Sequence, residues 1–263
     1  MSDSTQEGMM TFGGHLEVLR KMLFRVIGVI ATFAVVIFCF KDITFDILLA
    51  PQNNHFVTFE FIEWLAKELG WNFRFPEYDI KLISTDLSAQ FMTHISTSLY
   101  LGLLMGSPFF VYELFRFILP ALYDDERKHS VKIALSIYGL FIIGLLLSYF
   151  LLFPISFQFL ANYQVDSSIE NTITLSSYIS TFVTLSFMMG VVFQLPVICF
   201  FMAKMGLVSG DMLARYKKHA FIVILVIAAI ITPPDAFTLV IVTLPMYLLY
   251  LLGVFIAKRV QTD

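Results

Sequence analysis

Apolar runs of about 20 residues, the length a helix needs to cross a bilayer core of roughly 30 Å, recur through this chain between short charged joints. Such runs leave few folds open, because in hydrocarbon every backbone N–H and C=O must be satisfied within the segment itself. The candidate spans are 22–40, 92–115, 131–153, 178–202, 220–231 and 237–257. The fifth is short for a bilayer, and Tyr216 and His219 are expected to extend its helix to the interface. Composition agrees: of 263 residues 58% are hydrophobic and 14% charged, against about 25% charged in a soluble domain. The fold class expected is an all-α integral membrane protein, one six-span membrane domain over residues 1–263.

Six spans put both termini on one side, and the basic residues say which. Arg20, Lys21, Arg25, Arg116, Arg127, Lys128, Lys132, Lys204, Arg215, Lys217, Lys218, Lys258 and Arg259 fall on the terminal side, while only Lys41, Lys67, Arg74 and Lys81 fall on the other. Cytoplasmic loops hold the excess of Lys and Arg, so both termini are expected in the cytoplasm. The acid-bearing N-terminus lacks the basic region of a cleaved signal, so the first span is expected to stay as an anchor. Cys39 and Cys199 both sit in apolar runs and are expected as buried small hydrophobes.

The external loop 41–89 carries an amphipathic pattern over about 59–69: Phe61, Ile62, Leu65 and Leu69 share a helical face, with Glu60, Glu63, Lys67 and Glu68 on others. Gly70 follows as a stop. This helix is expected to lie on lipid or on the bundle. Pro108, Pro196 and Pro245 remove backbone hydrogen bonds within apolar runs and are expected to kink helices, enclosing a concave, cupped bundle. Thr232-Pro233-Pro234-Asp235 ends the fifth helix, and Asp235 is placed to cap the sixth.

Chemistry is sparse. There is no phosphate loop, HExxH, CxxC or GxSxG, and the five histidines lack ligand spacing, so no catalytic residue, cofactor or metal is expected. A net charge of −3 does not suggest nucleic acid and no basic tract supports it, so no nucleic-acid partner is expected. Gln194, at mid-span, offers an amide to a neighbouring helix or an inserted segment. Glu113 is placed to snorkel or to pair with Arg116. The joint from Phe115 to Lys132 sets Phe117 and Pro120 beside Asp124, Asp125 and Glu126, an apolar ledge next to carboxylates of the kind a guanidinium ligand uses. Two functions stand on the residues alone: a receptor for another polypeptide, or a small-solute transporter or channel with a charged loop.

The ordered motifs resemble the TatC family, the polytopic receptor subunit of the twin-arginine protein translocase. They are His15-Leu16-Glu17-Val18-Leu19-Arg20, Ala50-Pro51, the stretch FILPALYDDER over 117–127, Phe193-Gln194-Leu195-Pro196-Val197, Thr232-Pro233-Pro234-Asp235 and Pro245-Met246-Tyr247. The resemblance implies a subunit of the bacterial cytoplasmic (inner) membrane that binds twin-arginine signal peptides of folded precursors at its cytoplasmic face. It implies export driven by the proton-motive force, within an oligomeric complex containing single-span TatA/TatB-type partners. By the same resemblance Glu126, Phe117, Pro120, Arg20 and Glu17 contribute to the signal-peptide site, and Thr232 and Asp235 lie where a partner helix docks. Val18, Gln194 and Leu251 stand where the family usually has glutamate, and residues 55–80 form an atypical insertion.

Overall fold

A computed structural model describes residues 12–72, 74–75, 81–118, 130–166, 171–232 and 235–260, and their regular structure is helical. Among the described residues five helical stretches are long and apolar enough to cross a membrane: Leu16–Cys39, Ala89–Leu114, Ile133–Asn162, Leu175–Lys204 and Ala236–Val260. The helix α10 (Lys217–Ile231), where a short span is expected, has 15 residues. At 1.5 Å per residue that is about 22 Å, less than the hydrocarbon thickness.

The first long helix, α1 (Phe12–Cys39), is peripheral: 11% of its apolar window is buried, against 61% for Leu175–Lys204. Phe24, Ile27, Val35 and Cys39 are exposed, so Cys39 is not the buried hydrophobe expected, whereas Cys199 is buried. α1 packs antiparallel on α4 (Ala89–Ile118), which continues through Pro108. Gly102 and Gly106 set how close the two helices come. A Cβ on Gly102 would meet Ala34 at 2.8 Å, and one on Gly106 would meet Ile30 at 2.6 Å. This is the small-xxx-small approach by which membrane helices gain van der Waals contact without a hydrophobic driving force.

Between α1 and α4 the chain forms α2 (Lys41–Leu49), a 3-10 turn (Ala50–Gln52) and α3 (Val57–Glu68). Beyond α4, α5 (Ser130–Leu147) passes through a π-helical turn (Ser148–Leu152) into α6 (Phe153–Asn162). The fourth long stretch is two helices, α7 (Leu175–Val192) and α8 (Leu195–Lys204), with Pro196 in the first turn of α8, where its missing N–H costs nothing. Then come α9 (Gly210–Arg215), α10 and α11 (Ala236–Val260).

Two ends of the bundle follow from these directions. The cap end gathers α2, α3, α6 and the starts of α4, α7 and α11. There Phe38 stacks on His94 at 4.2 Å, Phe159 stacks on Phe237 at 4.6 Å, and the Tyr178 hydroxyl donates to the Leu48 carbonyl at 2.8 Å. The base end gathers the start of α1, the end of α4, α9 and the end of α11. There Lys258 pairs with Asp211 at 2.8 Å. The main core lies toward the cap, where Phe153, Tyr178 and Phe182 meet edge to face with centroids 4.9 and 5.1 Å apart. A smaller cluster of Ile137, Val197 and Phe201 joins α5 to α8 toward the base.

Candidate functional site

Polar groups converge at the base end where α1 meets α4. Glu113 lies seven residues, two helical turns, beyond Gly106, on the stripe of α4 that faces α1. Glu113 is 3% exposed. Arg25 of α1 reaches it at 2.9 Å and Arg116 at 3.5 Å. Sequence proximity pointed to Arg116, but the closer partner comes from the other helix. A buried carboxylate is tolerated only when paired and hydrogen-bonded. Both guanidinium groups are at least half-exposed, so each can keep water while neutralising the acid. The clasp ties the two helices together at the rim.

Around it lie the residues expected at the site. Arg20 is exposed on α1, a turn and a half before Arg25. Glu17, also exposed, pairs with Lys21 at 2.8 Å, an i,i+4 contact along α1. Phe117 falls in the last turn of α4, one helical turn beyond Glu113. Its side chain lies outside the described residues, as do Pro120, Asp124, Asp125 and Glu126. The structure thus brings Arg20 and the start of α1 to the end of α4 that leads into 119–129. Glu113, absent from the expected site, is what joins them.

A second polar group is buried within the helices. Gln194 sits in the two-residue break between α7 and α8 and is 2% exposed. Its Nε2 donates to the Ile137 carbonyl of α5 at 3.2 Å and to the Gly190 carbonyl at 3.4 Å. Its Oε1 is buried with no partner among the described residues. One half of the amide is spent on helix packing and the other is left as an acceptor.

The third group is at the cap end. Asp235 is the N-cap of α11, its Oδ1 accepting from the Thr238 N–H at 2.6 Å, while its Oδ2 has no described partner. The Thr232 hydroxyl donates back to the Ala228 carbonyl at 2.9 Å. Pro233 and Pro234 lie outside the described residues.

The family model for "Sec-independent protein translocase protein (TatC)" matches residues 14–245. The chain belongs to the TatC family. It is 32% identical over 256 residues to the TatC of Blattabacterium sp. subsp. Periplaneta americana (strain BPLAN), covering 96% of each chain. To the TatC of Escherichia coli (strain K12) it is 31% identical over 245 residues, covering 93% of this chain and 86% of that one. A crystal structure described as the twin-arginine translocase receptor TatC superposes with a TM-score of 0.73 at 27% identity. That match covers 94% of this chain and 99% of that one. The chain is therefore a membrane protein of a Sec-independent translocase family, and its helical architecture is that of TatC.

Proposed function

We propose that this chain is the receptor subunit of a twin-arginine translocase in the bacterial cytoplasmic membrane. In this reading its base end faces the cytoplasm and α10 completes a six-span topology. The thirteen basic residues assigned to that side, against four on the other, support the orientation. The base corner receives the arginine pair of a signal peptide: Glu126 supplies the carboxylate, Phe117 and Pro120 the apolar ledge, and Arg20 and Glu17 flank them. The clasp of Arg25 and Glu113 carries this reading, because it holds the start of α1 against the end of α4 from which that loop departs.

Two further roles belong to the same proposal. The free Oε1 of Gln194 accepts a hydrogen bond from a segment inserted between the helices. The turn of Thr232 and Asp235 takes the membrane helix of a TatA/TatB-type partner, and the assembled complex passes folded cargo outward on the proton-motive force.

Glu126→Ala tests the core of the proposal. With the variant as the sole copy, export of a folded twin-arginine reporter should fall at least about tenfold, the equivalent of ~1.4 kcal/mol of lost binding, while the protein remains in the membrane at normal abundance. Undiminished export would overturn the assignment. Uptake of solutes by proteoliposomes containing only this chain would return the transporter reading to favour.

A further inference from the structure

The cap helix α3 has three faces. At 100° per residue, Thr58, Phe59, Ile62 and Ala66 fall within one arc and are the residues it turns toward the bundle: Thr58, Phe59 and Ala66 are buried. Phe59 meets Phe56 and Phe75 at centroid distances of 6.5 and 5.0 Å. The Thr58 hydroxyl donates to the Phe150 carbonyl in the π turn. Next to this arc, and continuous with it, lie Val57, Phe61, Trp64 and Leu65, all exposed. Glu60, Glu63 and Lys67 occupy the side opposite the middle of the combined apolar surface. The apolar side is thus twice as wide as the part the bundle covers.

The bundle itself fixes the height of this overhang. From Ile133, where the third apolar stretch begins, to Phe150 is seventeen helical residues. That is about 26 Å, close to one hydrocarbon thickness. Phe56 stacks on Phe150 at 5.9 Å and lies edge-on to Tyr149 at 5.7 Å, so α3 is held at the far boundary of that layer. The chain has two tryptophans, Trp64 and Trp71, and both are here, 56% and 70% exposed. Gly70, at φ +78°, turns the chain at the end of α3, and the Trp71 N–H donates back to the Ala66 carbonyl at 2.8 Å. Tryptophan favours the membrane–water boundary, where an apolar ring and a polar N–H are both served.

We infer that α3 overhangs the bundle and seats Val57, Phe61, Trp64 and Leu65, with Trp71, in the headgroup–acyl boundary of the surrounding lipid. Of the charged stripe, Glu60 and Lys67 are exposed to water and Glu63 accepts from the Phe75 N–H at 2.9 Å; the half-covered apolar side points toward the membrane, and beyond the rim of the bundle the membrane is lipid. Glu68 falls inside the exposed arc, between Val57 and Phe61, but it is the last residue of α3 and its long side chain reaches water from the helix end. The insertion is in this view a float that sets the depth of the cap and, through Phe56 and Thr58, of the π turn. Nothing in it depends on the direction of transport or on the ligand of the base corner.

Tryptophan emission reads this segment without labels. The full chain, as Trp71→Phe and as Trp64→Phe, is reconstituted in phosphatidylcholine vesicles brominated either close to the headgroup or close to the chain end. Each remaining tryptophan should lose at least about twofold of its emission to the shallow bromines, less to the deep ones, and little to aqueous acrylamide. Free quenching by acrylamide with no effect of bromine would overturn the inference. So would shielding from every quencher, which would mean that protein, a second copy included, covers this face.

Discussion

The base corner and the cap are both places where one helix is fixed to another, and they do it with opposite chemistry. At the base, α1 and α4 are joined by Glu113 between Arg25 and Arg116, long-range charges at a half-wet rim. At the cap, α3 is joined to the π turn by the buried Phe56 ring stacked on Phe150 and by the Thr58 hydroxyl donating to the Phe150 carbonyl, and α2 is joined to it by the Tyr149 hydroxyl donating to the Ile47 carbonyl. An ion pair between flexible side chains exchanges partners at small cost when another guanidinium or carboxylate arrives. A ring wedged among rings has no substitute in water. The first is suited to a site that binds and releases, the second to a fixed support.

Substitutions put that contrast to the test, beginning where the loss should be greatest. Phe59→Ala removes a fully buried ring, for which about 3–5 kcal/mol of local stability is expected. Limited proteolysis in detergent should then cut within 53–75, while a reporter's affinity for the base corner is unchanged. Arg25→Ala leaves Glu113 buried with only Arg116. Discounted for the half-exposed arginine, about 2 kcal/mol should be lost, read as a lower thermal midpoint that Arg25→Lys partly restores. Should Phe59→Ala impair binding as much as Arg25→Ala does, the division of labour fails.

Between the two ends lies Gln194, whose bonds are each worth about 0.6–2 kcal/mol. Gln194→Leu should weaken transport several-fold and Gln194→Glu should be tolerated; equal activity of the leucine variant would remove the amide from the function. The smallest effect belongs to Asp211 on the exposed surface of α9. Its hydrogen bond and ion pair with Lys258 hold its carboxyl below the ordinary value of 3.8. A lowered native pKa stabilises above the unfolded value and is lost as pH falls through the native one. Asp211→Asn should therefore leave the midpoint almost unchanged at neutral pH and abolish only a slight acid sensitivity below about pH 4.

The apolar runs were legible because length alone separates a bilayer helix from a soluble one, and the Asp235 cap and Gly70 stop because each depends on neighbours in sequence. The contact of α1 with α4 was not among the sequence expectations, although Gly102-Leu-Leu-Met-Gly106 carries the spacing that marks close helix approach. Its ionic half was hidden: sequence offers Glu113 the neighbour Arg116, and only packing brings Arg25 nearer. For α3, periodicity picked out Phe61, Ile62, Leu65 and Leu69, the middle of the apolar arc, while the bundle covers the side around Phe59 and Ala66. A moment locates the centre of such an arc, not which flank meets protein. The exposure of Cys39 follows from the peripheral place of α1, which no property of residue 39 announces.

The π turn at Ser148–Leu152 acts as a phase shift in an otherwise regular screw. A π turn holds more residues than an α turn, and each residue advances the helix by about 100°. Everything after Leu152 is therefore rotated relative to the course α5 would have kept. That rotation lets one continuous rod show Phe141 and Gly144 to α7 below the turn and Phe153 and Phe157 to Tyr178 above it. It also presents the Phe150 carbonyl sideways, where Thr58 reaches it. The cap is thus keyed to a single angular setting of the third apolar stretch.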